Sequence, residues 1–112
     1  IFTVADCGTV VNQNTVRAQL EGAAVFGLSL ALFGNITARD GRIVQGNYHD
    51  YEMLRRHQTP EIQIEVVQSE DLPTGIGEPG VPVMAPALIN AIFDATGKRF
   101  RSLPLKAHGL VQ

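Results

Sequence analysis

In the stretch Thr74-Gly75-Ile76-Gly77-Glu78-Pro79-Gly80 a single ionisable side chain, Glu78, sits among three glycines and a proline. Glycine permits positive φ and lets the backbone approach another molecule closely, which a purely connecting loop does not need. Pro79 biases Glu78 toward extended backbone and so limits where its carboxylate can point. With no Lys or Arg in the stretch, burial would disfavour the charged form and make the carboxylate a better proton acceptor, the property of a general base. Gly-Glu-Pro-Gly is also ordinary turn composition, so the loop alone leaves base and turn both open.

Few other residues could do chemistry. His49-Asp50-Tyr51 contains the types of a proton relay, but consecutive side chains seldom converge, and a surface or interface segment is the favoured reading. Arg55 and Arg56 could meet a phosphate or solvate an edge. The lone Cys7 rules out an internal disulfide framework, and no other cysteine or spaced histidine pair joins it for a zinc site, so it reads as a small buried hydrophobe. A net charge of −2 with interspersed signs gives no basic patch for nucleic acid.

The elements that must position these groups follow from periodicity. A chain of 112 residues, 45% of them apolar, is one domain's worth and can bury a core. Ile1 to Val11 reads as a strand broken at Asp6-Cys7-Gly8. Asn12-Gln13-Asn14 offers an N-cap for a helix starting near Thr15, in which Val16, Leu20, Ala23, Ala24, Gly27, Leu28 and Ala31 form one face and Gly34 the stop. Its second half, Val25 to Phe33, is apolar nearly all round and needs a cover on its back. Gly22 and Gly27 within it cost about 1 kcal/mol each against alanine, which suits close approach of a backbone or ligand, or tight helix-on-sheet packing. Gly22 to Thr37 carries no charge but is too short and too rich in Gly, Ser and Asn to span a bilayer.

Asp40-Gly41 predicts a hairpin turn feeding a strand over Ile43 to Tyr48. Glu61 to Val66 alternates as a strand with one wet face. Pro82 and Pro86 precede a second helix over Ala87 to Thr96, closed by Gly97, largely buried and carrying an Asn90 that needs a hydrogen-bond partner. Arg101 to Leu105 is a short extended end and Lys106 to Gln112 a trailing tail. The predicted fold is α+β: a two-layer sandwich of two helices on a mainly antiparallel sheet of three to four strands. Ile1-Phe2-Thr3-Val4, already strand-like and without a signal pattern, suggests a piece of something longer.

Taken together, Asp6-Cys7-Gly8, Val11-Asn12, Ala18-Gln19-Leu20-Glu21-Gly22, Gly75 to Gly80, Ala85-Pro86-Ala87, Asn90-Ala91 and Thr96-Gly97 resemble the C-terminal part of the molybdenum-binding large subunit of the xanthine oxidase and aldehyde oxidase family. The likeness runs from the first strand to about Leu105 and is nearest the bacterial branch of isoquinoline 1-oxidoreductase β-subunit and aldehyde dehydrogenase large chains. Gln-x-Glu-Gly or Gly-Glu-Pro alone is a weak motif, whereas both in this order, followed by Pro-Ala and Thr-Gly-Lys-Arg, are specific.

The resemblance implies that Glu78 is the base beside the molybdenum, that Gln19 hydrogen-bonds the pyranopterin, and that Ile76 and Gly77 supply backbone lining the metal pocket. It implies a molybdenum pyranopterin in the cytosine dinucleotide form, bound by the full-length protein and not by this segment alone. The implied reaction is oxidative hydroxylation of an N-heterocycle or an aldehyde, with the rest of the large subunit and an iron–sulfur small subunit as partners. Export to the periplasm fits the branch. Residues 1–112 would form a single domain, catalytically silent by itself and prone to self-association. The competing expectation is a freestanding α+β binding or assembly module in which the Gly-Glu-Pro-Gly loop is only a turn.

Overall fold

The computed structural model describes residues 1–111. Its elements are β1 (Phe2–Ala5), α1 (Gln13–Leu32), β2 (Ala38–Arg39), β3 (Arg42–Ile43), β4 (Gln63–Val66) and α2 (Met84–Thr96), with 3-10 turns at Tyr48–Asp50, Arg56–Gln58 and Leu105–His108. The α+β class stands. In place of one mainly antiparallel sheet of three to four strands, the described residues hold two two-stranded sheets, β1 with β4 and β2 with β3.

The first pair is parallel, with Phe2 opposite Gln63 and Ala5 opposite Val66. Parallel neighbours need a long crossover, and here α1 and the segment after it provide one. Periodicity had shown β4 correctly as a strand with one wet face: Ile64 and Val66 are buried while Gln63 and Glu65 are exposed. It could not show which strand would pair with it. The second pair is the hairpin announced by Asp40-Gly41, both at positive φ (51° and 73°), as a two-residue turn requires. Its second strand stops at Ile43, not Tyr48, because the chain turns at Gly46, whose N–H donates to the Asp50 carboxylate, and at Asn47, whose side chain caps Tyr48. The first strand is likewise short: Gly8, at φ 72°, ends it before Val11.

Helix α1 is the frame. Asn12 caps it, its Oδ1 accepting the Thr15 N–H at 3.2 Å, and Gly34 closes it by donating to the Ser29 and Leu30 carbonyls. Leu20, Ala23, Ala24, Gly27, Leu28 and Ala31 are buried along the face that periodicity marked. Leu20 joins Cys7, Ile64 and Val66 in the core, with Val16 and Ile76 packed against them. Arg17 ties the helix to the sheet by donating to the Ile64 carbonyl at 2.6 Å. Ser29 donates to the Val25 carbonyl and accepts from the Leu54 N–H, holding the middle of the chain against the helix. Gly27 meets α2 directly: a Cβ there would lie 2.7 Å from Met84 Cβ and 2.8 Å from the Val81 carbonyl. Gly22 has open space around it and makes no such approach.

Two expectations change. Helix α2 is not largely buried: Met84 is its one buried residue, Leu88 and Ile89 are half-buried and Phe93 is exposed, because this chain packs nothing over its outer face. Gly97 does close it, at φ 70°, and Asn90 finds its partner in Arg99, which also lies over the Phe93 ring at 3.7 Å. The segment after Leu103 does not trail: Leu105 is fully buried and opens a 3-10 turn that packs on α1. Gln112, the last residue of the predicted tail, lies outside the described residues.

Apolar surface remains uncovered. Phe2 and Val4 are 83% and 67% exposed, Phe2 bordering a gap it shares with Leu28 of α1 and Met84 and Leu88 of α2, although parallel sheets are ordinarily covered on both faces. The radius of gyration is 16.4 Å, against about 13 Å for a compact chain of this length. Contiguous apolar surface of this kind marks an interaction site. Light scattering on the 112-residue polypeptide should therefore report association, or a hydrophobic dye should bind it strongly. A clean monomer that binds no dye would contradict this.

Candidate functional site

The Gly-rich loop is fastened at both ends. At its start the Thr74 N–H donates to the Cys7 carbonyl at 2.9 Å, next to a clasp in which the Thr9 N–H and hydroxyl both donate to the Asp71 carbonyl. Gly8 is the residue this clasp demands, since a Cβ there would fall 2.2 Å from the Leu72 carbonyl oxygen. At its end Gly80 is buried against α1, where a Cβ would stand 2.7 Å from Ala23 Cβ and 3.4 Å from Leu20 Cδ2. None of Gly75, Gly77 and Gly80 uses positive φ. The conformational freedom expected of them is not exercised; what matters is the missing side chain.

Between the anchors the loop alternates. Ile76 turns inward and packs on the core, while Gly75 and Gly77 line an open concavity with Glu78, Pro79, Val81, Pro82 and, from α1, Phe26. A Cβ on Gly75 or Gly77 would have no atom within 4 Å, so bare backbone faces this space. The concavity holds about 740 Å³, and Glu78 is the one ionisable residue that lines it.

The turn reading of Gly-Glu-Pro-Gly is met: the Val81 N–H donates to the Glu78 carbonyl at 3.0 Å, and the Met84 N–H repeats the pattern onto Val81. Pro79 and Pro82 occupy the second position of these successive turns, where a fixed φ is favoured, and Pro86 falls in the first turn of α2, where no backbone donor is needed. The segment from Glu78 to α2 is thus stiff. Its backbone is spent on the turn and its carboxylate is left over.

That carboxylate is exposed. The desolvation expected from its apolar neighbours is not supplied by this chain, because the concavity is open on the side away from α1. Among the described residues no Arg or Lys forms an ion pair with it. Gln19 is also exposed and does not line the concavity. It lies four residues before Ala23 and seven before Phe26, hence on one stripe of α1, about 10 Å along the axis from Phe26. Of the four residues singled out, the structure gathers Glu78 and Gly77 in the concavity, turns the Ile76 side chain away, and places Gln19 further along the same rail.

Phe26, Val81 and Pro82 line the concavity although the sequence does not single them out as site residues. Phe26 was counted only as part of an all-apolar half-helix, yet its position seven residues after Gln19 was a usable signal. The other candidates stay apart: His49 meets Asp50 at 2.9 Å in a mostly exposed pair without Tyr51, Arg55 and Arg56 are exposed, and Cys7 is buried. Among the described residues no three His, Cys, Asp or Glu side chains are grouped to hold a metal.

Residues 1–60, more than half of the chain, match the family described as the molybdopterin cofactor-binding domain. The chain belongs to that family. The resemblance to molybdenum-binding large subunits is borne out by this match and by the relatives that follow. Among its relatives, the membrane-bound aldehyde dehydrogenase (pyrroloquinoline-quinone) of Gluconacetobacter polyoxogenes is 46% identical over 103 residues, 92% of this chain and 13% of that protein. The isoquinoline 1-oxidoreductase subunit beta of Brevundimonas diminuta is 36% identical over 106 residues, 95% of this chain and 14% of that protein. The crystal structure of quinoline 2-oxidoreductase from Pseudomonas putida 86 superimposes with a TM-score of 0.74 at 24% identity, over 93% of this chain and 14% of that one, which fixes the shared fold. The chain thus spans about one-seventh of the length of these proteins.

The two glycine environments predict opposite outcomes. Gly80→Ala should destabilise the chain by about 1–3 kcal/mol through overpacking against Ala23, and Gly77→Ala should stay within about 0.5 kcal/mol, both read from urea unfolding midpoints. Equal effects would show that the loop does not seat on α1 in this way.

Proposed function

We propose that this chain forms one wall of a molybdenum pyranopterin site in a longer oxidoreductase subunit, with Glu78 as the general base. The observation that carries this reading is the solitary carboxylate in an otherwise apolar concavity built from the loop and α1. When bound, the molybdenum pyranopterin supplies oxygen-atom transfer to an electron-poor carbon and takes up the electron pair released there. Everything else falls to side chains and backbone of the protein.

The residues fit such a group as far as they reach. Gly75 and Gly77 offer bare backbone with room in front of it, which suits a rigid cofactor approaching closely. Gln19 presents an exposed amide able to donate to and accept from a pterin edge. Glu78 takes a proton at a carboxylate oxygen, and the stiff Pro79 and Pro82 turns hold it in place for that transfer, so little conformational entropy is lost when the transition state forms. Ile76 serves through its backbone, its side chain being the peg that fixes the loop to the core.

The remainder of the large subunit would close the open side of the concavity, exclude water from Glu78 and cover Phe2, Val4 and the outer face of α2. An iron–sulfur subunit would carry electrons away, since this chain's single cysteine cannot hold a cluster. The cytosine dinucleotide form of the cofactor, and a substrate that is an N-heterocycle or an aldehyde, follow from the likeness to the bacterial branch.

Replacing Glu78 by Gln in the full-length, cofactor-loaded protein removes the proton acceptor while keeping shape. Turnover should fall by about 10²–10⁴-fold, the usual contribution of a positioned base, with molybdenum and pterin content unchanged. Turnover within a few-fold of the parent would overturn the assignment.

A further inference from the structure

Phe26 is the one residue of α1 that lines the Glu78 concavity. Its ring is 45% exposed, although the residues on either side of the helix at Ala23, Ala24 and Gly27 are buried. Gly27 is locked against Met84 and Val81, which fixes the rotation of α1, and so the direction in which Phe26 leaves the helix, relative to the very segment that forms the opposite rim. Val81 belongs to both contacts: its carbonyl faces Gly27 and its surface lines the concavity.

We propose that Phe26 is a specificity-determining residue of this site, an apolar ring surface against which a flat, aromatic substrate lies with its reacting carbon toward Glu78. The inference rests on the reading of the concavity as the reaction site. The lining suits this class of ligand: with Gly75, Gly77, Pro79, Val81 and Pro82 completing the walls, the only polar side chain available is the Glu78 carboxylate. A ligand held here therefore needs an apolar body and one polar, reacting edge. Aromatic faces reward such a body through offset stacking or edge-to-face packing, and the glycine backbone leaves room for a planar molecule. The alternative occupant of the same surface is a pterin ring, which has equally flat faces, and cofactor content separates the two.

The test uses the full-length, cofactor-loaded enzyme as parent, Phe26→Ala and Phe26→Tyr, with steady-state kinetics on whichever of benzaldehyde and isoquinoline the parent oxidises. Phe26→Ala should raise KM by about tenfold, the effect of losing one well-packed apolar contact, with kcat per molybdenum little changed. Phe26→Tyr, which keeps the ring, should stay near the parent. Loss of molybdenum in Phe26→Ala would assign the ring to the cofactor and overturn the proposal, as would an unchanged KM or equal effects of the two variants. Because Glu78→Gln reads on kcat and Phe26→Ala on KM, failure of the base assignment and failure of this one are separately visible.

Discussion

The structure depends on two places where a backbone touches a helix without a Cβ between them. Gly80 lies on Ala23 and Leu20, and Gly27 lies under Met84 and the Val81 carbonyl. Together they clamp the segment from Gly80 to Met84 along two turns of α1. Interiors are packed closely enough that one added methyl at such a point forces a shift. The clamp sets how far the loop stands from the helix, where α2 begins, and the width of the concavity between Phe26 and Glu78. Burial of Leu20 and Ile76 in one core then stops the loop from lifting.

On this footing the loop divides its labour by alternation. One set of positions, Ile76 and Gly80, faces the protein, and the other, Gly75, Gly77 and Glu78, faces outward. The prolines remove much of the remaining freedom, so Glu78 is presented by a stiff turn in which its carbonyl accepts the Val81 N–H. In the proposed role turn and base are compatible descriptions of this stretch, since the turn would aim the carboxylate. What the chain does not provide is shelter for it, and the same incompleteness shows in the exposed Phe2, Val4 and Phe93.

Local signals were legible wherever the partner was near in sequence. Asn12 as a cap, the Leu20-Ala24-Leu28-Ala31 face, the Asp40-Gly41 hairpin, the alternation of β4 and the stop at Gly97 all express periodicity or turn chemistry within a few residues. Features set by distant partners were not. Whether β4 pairs with β1, and in which direction, depends on where a crossover of more than fifty residues ends. An apolar face on α2 announces that something should cover it and not that this chain does so. The burial of Leu105 depends on α1, far earlier in the chain. The loop glycines fit both positive φ and close backbone approach, and composition cannot tell a glycine chosen for φ from one chosen for the absence of Cβ; only the neighbours of Gly80 decide that. At the site, Glu78 was legible from its isolation and from family resemblance together, whereas Phe26 was hidden among equally apolar neighbours.

The account stands or falls on what the concavity beside Phe26 faces. A crystal structure of the full-length, cofactor-loaded protein addresses this most directly. We expect the Glu78 carboxylate and the Phe26 ring to border the space in front of the metal, shielded from bulk water, with Gln19 on the pterin side of α1. A cofactor bound on another face of this domain, with Glu78 still open to solvent, would contradict it.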